Sequence, residues 1–487
     1  MSVSLKSLLQ IDALPAETAN LAVTGLSSDS RAVKPGDLFF ALSGSKADGM
    51  RFVPEAIARG AVAVVSEQAA PQSSGQAPVI RDANPRRTLA LAAARFHGVQ
   101  PGLCVAVTGT NGKTSVAAFV RQLWQAMGFR AASLGTIGVV GPEGERYLGL
   151  TTPDPVELHA ILARLAGEER VTHLALEASS HGLAQHRIDG VRLAAGAFTN
   201  ITRDHLDYHP TFTEYFAAKL RLFGELLPAG APAVVNADAP QAEVVTAVAA
   251  GRGLAVFSVG ARGDGLQLLS ARRQGFGQRL EIRGRARVHS VALPLVGDFQ
   301  ASNALVAAGL VIATGGDEER VLEALETITG ARGRLERVAE TEAGAPVFVD
   351  YAHTPDALEN VLKSLRPYVG RKLAVVFGAG GDRDQGKRPQ MGKCAALHAD
   401  VAYVTDDNPR SEDPARIRAQ ILAAHPGAVE IADRSQAIRT AVDNLEAGDV
   451  LLVAGKGHET GQIVSGVVKP FSDHEVVRKA IGVRHGR

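Results

Sequence analysis

The sequence has little that would support a disulfide framework, a nucleic-acid surface or a membrane span. It contains two cysteines, Cys104 and Cys394, which are far apart and lack metal-ligand spacing. This excludes a disulfide scaffold and favours a reducing compartment. Lysine and arginine together number 52 against 51 acidic residues, a net charge of +1, and no basic stripe stands out. Nucleic acid is therefore not an expected partner.

Long apolar runs are also missing. The longest run, residues 304–313, is far shorter than the ~18–20 residues that cross a bilayer. The first residues lack a basic segment followed by an apolar core, so we expect no leader peptide. We expect a soluble, cytoplasmic protein without membrane insertion, and we expect it to be a monomer.

What the sequence does contain is enough apolar material for large cores. Hydrophobic residues make up 46% of the 487 residues and charged residues 21%, which excludes a disordered class. At about 100–200 residues per domain, the length suggests three domains. Short apolar runs alternate with polar loops and helical patterns, which predicts an α/β fold. We place the domain boundaries at 1–98, 99–331 and 332–487.

The most informative stretch is Gly109-Thr110-Asn111-Gly112-Lys113-Thr114-Ser115. It follows an apolar strand pattern at 104–108 and precedes a helical pattern at 116–127. Such a loop directs backbone N–H groups at a phosphate, Lys113 adds positive charge, and Thr114 stands where a P-loop places its Mg²⁺-binding hydroxyl. Val107 replaces the first glycine of the strict motif, and an ordinary glycine turn is the alternative. We interpret the stretch as a nucleoside triphosphate site.

Polar side chains follow the next strand patterns. Glu177 comes after the strand at 173–176, and His205 follows the strand at 197–199 within a few residues. In parallel α/β sheets the strand ends collect ligand groups, so these loops are expected to converge near the phosphate loop. Glu177 and His205 are then candidate ligands of a Mg²⁺ ion that accompanies the nucleotide. Taken singly, each is more simply a cap or turn residue.

The last third of the chain repeats the alternation, with strands predicted at 347–350, 373–377, 401–405 and 450–454. Thr354 is predicted to cap a helix that begins at Pro355. The glycine-rich exit at 378–384 is not a dinucleotide motif, because Arg383 stands where the last glycine belongs.

Charges of both signs follow these strands. Arg383 and Arg410 accompany Asp406, Asp407 and Glu459. This set suits a ligand that carries both ammonium and carboxylate groups, because arginine binds carboxylates in a bidentate manner. A salt-bridge network that closes the domain is an equal alternative.

These motifs together resemble the Mur ligases, ATP-dependent amide-forming enzymes of peptidoglycan synthesis. The resemblance rests on the phosphate loop, on 177–182, on Thr199-Asn200 with Arg203-Asp204-His205, and on 350–355. It implies a three-domain architecture: an N-terminal UDP-recognition domain, a central P-loop ATPase domain and a C-terminal Rossmann-like domain. The motif at 407–410 resembles the one that marks meso-diaminopimelate, rather than lysine, as the added amino acid.

The resemblance also implies roles for individual residues. Lys113, Lys219 and His205 are the implied catalytic residues. The implied ATP contacts are Gly109, Thr110, Asn111, Gly112, Lys113, Thr114, Ser115, Asn303, Arg334 and Asp350. Implied contacts with the UDP-muramoyl-dipeptide are Ser28, Ser30, Ser45, Lys46, Ala47, Thr151, Thr152, Ser179, Gln185 and Arg187. Implied contacts with diaminopimelate are Arg383, Asp407, Asn408, Pro409, Arg410, Gly455 and Glu459. The implied metal ligands are Thr114, Glu177, His205 and Lys219 as its carbamate.

For the serine loops and for Lys219, the residues alone suggest a different interpretation from the one that the resemblance implies. The serine loops near residues 28 and 45 look like solvated turns. Lys219 lies in an evident helix, where a lone lysine is ordinarily a solvated or snorkelling side chain. The resemblance instead matches it to a lysine carbamylated by CO₂.

The implied activity uses ATP as a substrate and Mg²⁺ as its cofactor, and joins two small molecules through an acyl phosphate. Lysine-adding and dipeptide-adding Mur ligases and folylpolyglutamate synthetase share the ATPase core and are the nearest alternatives. A nucleotide-driven binding module without ligation chemistry is an alternative of another class.

Overall fold

The computed structural model describes residues 2–11, 14–44, 48–68, 77–202 and 208–482. The chain forms two compact units. The first comprises Met1–Gln267 and Leu305–Val321, and the second comprises Leu268–Ala304 and Leu322–Arg487. This division differs from the predicted boundaries at 98/99 and 331/332, which stay a prediction. Among the described residues, every helix is too short or too polar to cross a membrane.

The N-terminal part of the first unit is a small parallel sheet covered by helices. Its strands, in spatial order, are Gly25–Ser27, Asp37–Ala41, Ala63–Ser66 and Val79–Arg81. Strands Val3–Ser4 and Ala22–Val23 pair separately. The helices are Leu5–Leu9, Ala16–Ala19, Val53–Ala58 and Pro85–His97.

The rest of the first unit is built on a larger sheet. From one edge, its first eight strands, in spatial order, are Gly144–Arg146, Gly138–Gly141, Ala131–Gly135, His173–Glu177, Leu103–Thr108, Leu193–Phe198, Pro232–Asn236 and Ala255–Gly260. The last six of these eight run parallel to one another, and the first two pair antiparallel. Helices Lys113–Ala126, Pro155–Gly167, Ser180–Ala184, Phe212–Arg221 and Ala242–Gly251 connect them, with a π-helical turn at Leu222–Leu226.

The central position of strand Leu103–Thr108 explains where the functional loops lie. It pairs with His173–Glu177 on one side and with Leu193–Phe198 on the other. Because all three strands are parallel, their carboxyl ends meet at one edge. Strand and helix side chains such as Cys104, Leu158 and Leu176 fill the buried core beneath that edge.

The second unit contains another largely parallel sheet. Its strands, in spatial order, are Glu336–Glu340, Pro346–Asp350, Val450–Ala454, Leu373–Phe377, Val401–Val404 and Val429–Glu430. The last five run parallel, and Glu336–Glu340 is antiparallel to its neighbour. The helices are Pro355–Leu365, Lys387–His398, Pro414–Leu422, Arg434–Asp443 and Asp473–Ala480, and Gly461–Val464 forms a hairpin with Val467–Pro470.

The helix after the first strand of this parallel set begins as the sequence predicts. The Thr354 side chain accepts a hydrogen bond from the Ala357 N–H, Pro355 is the first helical residue, and Leu358 and Leu362 are buried.

Earlier in the chain than this sheet, strand Leu266–Gln274 is followed by strands Gly277–Arg283 and Val288–Leu293, which pair antiparallel. Helices Asp298–Ala313 and Glu318–Ala324 follow.

Candidate active site

The phosphate loop has the backbone geometry that its glycines permit. Helix Lys113–Ala126 begins directly after Gly112, which has φ of 86°. A Cβ on Gly109 would lie 2.0 Å from Thr199 Oγ1, so a side chain there would collide with the neighbouring strand exit. The loop is held by hydrogen bonds from Thr110 N to Asn200 O (2.8 Å) and from Asn111 N to Asn200 Oδ1 (3.0 Å).

Two lysines direct their ammonium groups at this loop. Lys113 Nζ donates to Gly109 O at 3.0 Å and to Thr110 O at 2.7 Å. Lys219 Nζ donates to the same Gly109 O at 2.6 Å and lies 4.6 Å from the centre of the Tyr215 ring. Lys219 is only 1% exposed, so the solvated side chain expected from the helix alone is wrong. Two cations at one carbonyl oxygen make this a favourable place for an anion.

A buried carboxylate lies beside the start of the helix. Glu177 is 1% exposed, and its Oε2 accepts a hydrogen bond from Thr114 Oγ1 at 3.0 Å. Its Oε1 accepts from Thr136 N at 2.7 Å, and Thr136 Oγ1 lies 3.2 Å from Oε2. The sequence reasoning missed Thr136. Its position directly after the strand Ala131–Gly135 was the available signal.

These oxygen atoms suit Mg²⁺, which prefers carboxylate and hydroxyl ligands and takes few from the protein when it is bound with phosphates. Within the ranges the structure describes, no group of three or more His, Cys, Asp or Glu side chains could hold a metal. His205, the other carboxyl-end candidate, lies outside the described residues.

The residues expected to contact the muramoyl-peptide form a network next to Glu177. Thr152 Oγ1 donates to Glu177 O at 3.0 Å and lies 3.0 Å from Ser179 Oγ. Arg187 donates to Thr152 O at 2.6 Å and to Gln185 Oε1 at 2.8 Å. Thr151 Oγ1 lies 3.0 Å from Thr136 Oγ1 and so joins the same network.

The structure describes part of the expected UDP pocket. Ser30 is buried and its hydroxyl donates to Glu55 Oε2 at 2.8 Å, whereas Ser28 is exposed. Ser45, Lys46 and Ala47 lie outside the described residues.

Three expected nucleotide contacts lie near one another in the second unit. Asn303 donates to Gln300 Oε1 at 3.1 Å, and Gln300 Nε2 lies 3.5 Å from Arg334 O. Asp350 accepts hydrogen bonds from Leu335 N (2.6 Å) and Ala352 N (2.7 Å). Burial raises the pKa of Asp350, and the charge of Arg334 and these two N–H groups only partly oppose that effect.

The charged loops of the second unit are divided between ion pairs and a polar cluster. Asp406 forms an ion pair with Arg418, which also contacts Glu430 at 2.8 Å, so Asp406 fits the salt-bridge alternative. Arg410 Nη1 donates to Gly381 O at 2.7 Å, and Arg383 is exposed.

The polar cluster contains Asp407, Asn408, Lys456 and Glu459. Asn408 Nδ2 donates to Glu459 Oε2 at 3.0 Å. Asp407 Oδ2 is buried, has no hydrogen-bond partner among the described residues, and is the atom nearest to a Cβ built on Gly455, at 2.5 Å. Pro409 O would likewise lie 1.9 Å from a Cβ on Gly381. The cluster thus contains three of the expected diaminopimelate contacts, Asp407, Asn408 and Glu459, and a fourth, Gly455, adjoins Asp407.

Sequence reasoning missed two buried cations here. Lys456 is 0% exposed and lies within the cluster. Arg434, on the neighbouring helix, pairs with Asp473 at 2.7 Å and donates to Ala454 O at 2.9 Å. A lysine between two glycines directly after a buried strand, Gly455-Lys456-Gly457, was a signal that the sequence offered.

A parallel α/β sheet with a phosphate loop and a buried carboxylate beside the helix that follows it is typical of a nucleotide-binding enzyme domain. Family models match residues 22–98 (Mur ligase family, catalytic domain), 107–311 (Mur ligase middle domain) and 333–457 (Mur ligase, glutamate ligase domain). The chain belongs to the Mur ligase family and, with it, to the amide-forming ligases that use ATP.

Individual relatives carry a more specific name. The UDP-N-acetylmuramoyl-L-alanyl-D-glutamate--2,6-diaminopimelate ligase of Bradyrhizobium diazoefficiens is 57% identical over 99% of this chain and 100% of the relative. The ligase of the same name from Mesorhizobium japonicum is 56% identical over 97% of this chain and 98% of the relative. A solved structure of a ligase with that name is 33% identical, with a TM-score of 0.73 and complete coverage of both chains.

Proposed function

We propose that this chain joins meso-diaminopimelate to UDP-N-acetylmuramoyl-L-alanyl-D-glutamate, at the cost of ATP, in peptidoglycan synthesis. The observation that carries the proposal is a continuous set of contacts from Thr114 through Glu177 and Thr136 to Thr151. It links the phosphate loop to the residues expected to hold the muramoyl-peptide. The names of the relatives supply the two substrates.

The reaction needs ATP because a carboxylate is a poor electrophile. An oxygen of the terminal carboxylate attacks the γ-phosphorus, the bond to the β-bridging oxygen breaks, and ADP leaves. The amino group of diaminopimelate then attacks the acyl carbon, loses a proton, and expels phosphate. The expelled phosphate keeps the oxygen that came from the carboxylate.

Residues of the phosphate loop are assigned to the charge that develops during phosphoryl transfer. Lys113 exchanges its contacts with Gly109 O and Thr110 O for phosphate oxygens, and the loop N–H groups donate to the same phosphates. Mg²⁺, when bound, supplies further positive charge to the triphosphate. Thr114, Glu177 and His205 are assigned to hold it.

Lys219 is assigned as a carbamate that also serves as a metal ligand. Its burial and its contact with Gly109 O support this assignment, because carbamylation would replace one of two close cations with an anion.

The remaining site assignments follow the sequence analysis. We retain Asn303, Arg334 and Asp350 as nucleotide contacts and the serine loops as UDP contacts. We retain the polar cluster, together with Arg383 and Arg410, as the diaminopimelate site. We likewise propose domain boundaries at 98/99 and 331/332, a monomeric state and a cytoplasmic location.

An isotope experiment tests the acyl-phosphate route. The dipeptide substrate is labelled with ¹⁸O in its terminal carboxylate and incubated with ATP, Mg²⁺ and diaminopimelate. We expect one ¹⁸O atom in each released phosphate, measured by mass spectrometry. Lys113→Ala should release neither ADP nor phosphate. Unlabelled phosphate from the parent enzyme, or substantial turnover by the variant, would contradict the proposed route.

A further inference from the structure

Lys456 occupies an unusual position for a lysine. It follows the strand Val450–Ala454, lies between two glycines, and is 0% exposed. Its Nζ donates to Asn408 Oδ1 at 3.0 Å and to Glu459 Oε2 at 2.9 Å. A buried ammonium is costly unless such partners compensate it, so these two contacts are what hold the charge in place.

The contacts of Asn408 fix which way its amide faces. Asn408 Oδ1 also accepts a hydrogen bond from the backbone N–H of Ile463 at 2.9 Å. Because an ammonium and a backbone N–H are both donors, the atom between them must be the amide oxygen. The amide nitrogen therefore faces Glu459, to which it donates one proton, and its second N–H can donate to another group.

The carboxylate of Glu459 is divided in a similar way. Its Oε2 accepts from both Lys456 and Asn408. Its Oε1 has no hydrogen-bond partner among the described residues, and the side chain is 28% exposed. One oxygen thus belongs to the cluster and the other can accept from a ligand.

We propose that Lys456 is a positioning residue that determines which hydrogen-bonding groups of this cluster face a ligand. By holding Asn408 Oδ1 and Glu459 Oε2, it makes the cluster present an N–H donor beside a carboxylate acceptor. A donor and an acceptor side by side suit a ligand end that carries both a carboxylate and an ammonium. If the chain has the proposed function, Lys456 thereby favours diaminopimelate over free lysine as the substrate, because the side chain of lysine ends in an ammonium alone.

The decisive variant is Lys456→Met, which keeps the aliphatic length and removes the donor. We expect KM for diaminopimelate to rise about 10- to 100-fold, the range for losing charge-assisted hydrogen bonds. The kcat/KM ratio of diaminopimelate to lysine should fall, while KM for ATP stays within about twofold. Lys479→Met removes the same charge from helix Asp473–Ala480, at a side chain that is 76% exposed, and should leave all constants unchanged.

A double-mutant cycle separates positioning from general destabilisation. In a Glu459→Gln background the buried lysine has lost its charged partner, so adding Lys456→Met should cost little further diaminopimelate affinity and should fold even where the single variant does not. Fully additive losses, or a single variant with an unchanged diaminopimelate-to-lysine ratio, would overturn the role of Lys456. A parent enzyme that ligates neither amino acid would instead overturn the proposed function.

Discussion

Acidification should destabilise the first unit through one buried histidine. His159, on helix Pro155–Gly167, is 1% exposed, and its Nε2 has no hydrogen-bond partner among the described residues. Burial, with a smaller contribution from the charges of His97 and Arg192, lowers the pKa of His159 from 6.5 to about 4. The unfolded chain therefore binds a proton that the folded chain does not, between about pH 6.5 and pH 4.

The sign and size of the effect follow from linkage. Stability from His159 is fully present above the unfolded pKa and is lost as the pH falls towards the folded pKa. Near pH 5 the loss is about 2 kcal/mol, and it approaches about 3 kcal/mol below pH 4. His159→Leu removes the titrating group and the unpaired nitrogen, so we expect this variant to lose less stability on acidification by that amount.

The sequence supplies a convenient probe for this measurement. Its one tryptophan is Trp124, buried in the same unit, so denaturant unfolding followed by tryptophan fluorescence reports on the unit that contains His159. The His173 ring lies 5.0 Å from Trp124, so folded and unfolded baselines must be recorded at each pH. If parent and variant lose the same stability between about pH 7.5 and pH 5, the reasoning about His159 is wrong.

Three substitutions test the roles of Glu177 and Arg410 and the importance of the buried Arg434–Asp473 ion pair. Gly135→Ala would place a Cβ 2.0 Å from Glu177 Oε1, so we expect the Glu177 carboxylate to move. Turnover in a phosphate-release assay at limiting Mg²⁺ should then fall about 100-fold. Unchanged turnover would contradict the role of Glu177. Arg434→Met leaves Asp473 as an uncompensated buried charge and should lower the free energy of unfolding by about 3–5 kcal/mol, measured by denaturant unfolding. The double variant Arg434→Met/Asp473→Leu should recover much of that stability. A single variant as stable as the parent would contradict the importance of the ion pair. Arg410→Ala should abolish use of diaminopimelate while calorimetric ATP affinity is retained, and an equal loss of ATP affinity would indicate misfolding instead.

The phosphate loop could be predicted from the sequence because its determinants are local. A buried strand, glycines with positive φ and an amphipathic helix follow one another within a few residues, and the structure has them in that order. The parallel pairing of Leu103–Thr108 with its neighbours then brings Glu177 to the loop, as the alternation of strands and polar exits indicates.

Other features depend on contacts between distant parts of the chain. The burial of Lys219 arises because its helix packs beneath a loop 110 residues earlier, which no helical pattern reveals. Asp406 looked equivalent to Asp407, yet the fold pairs Asp406 with Arg418 and leaves Asp407 in the polar cluster. Lys456 was overlooked because one of its two partners, Asn408, lies 48 residues earlier in the chain, although the other, Glu459, is only three residues away.

The most direct test of the central claim is a phosphate-release assay with ATP, the UDP-muramoyl-dipeptide and either meso-diaminopimelate or lysine. We expect rapid release when the dipeptide and diaminopimelate are both present, with one tripeptide formed per phosphate, and much slower release with lysine. Release that does not depend on both substrates, or equal rates with the two amino acids, would contradict the assignment of this chain as a diaminopimelate-adding ligase.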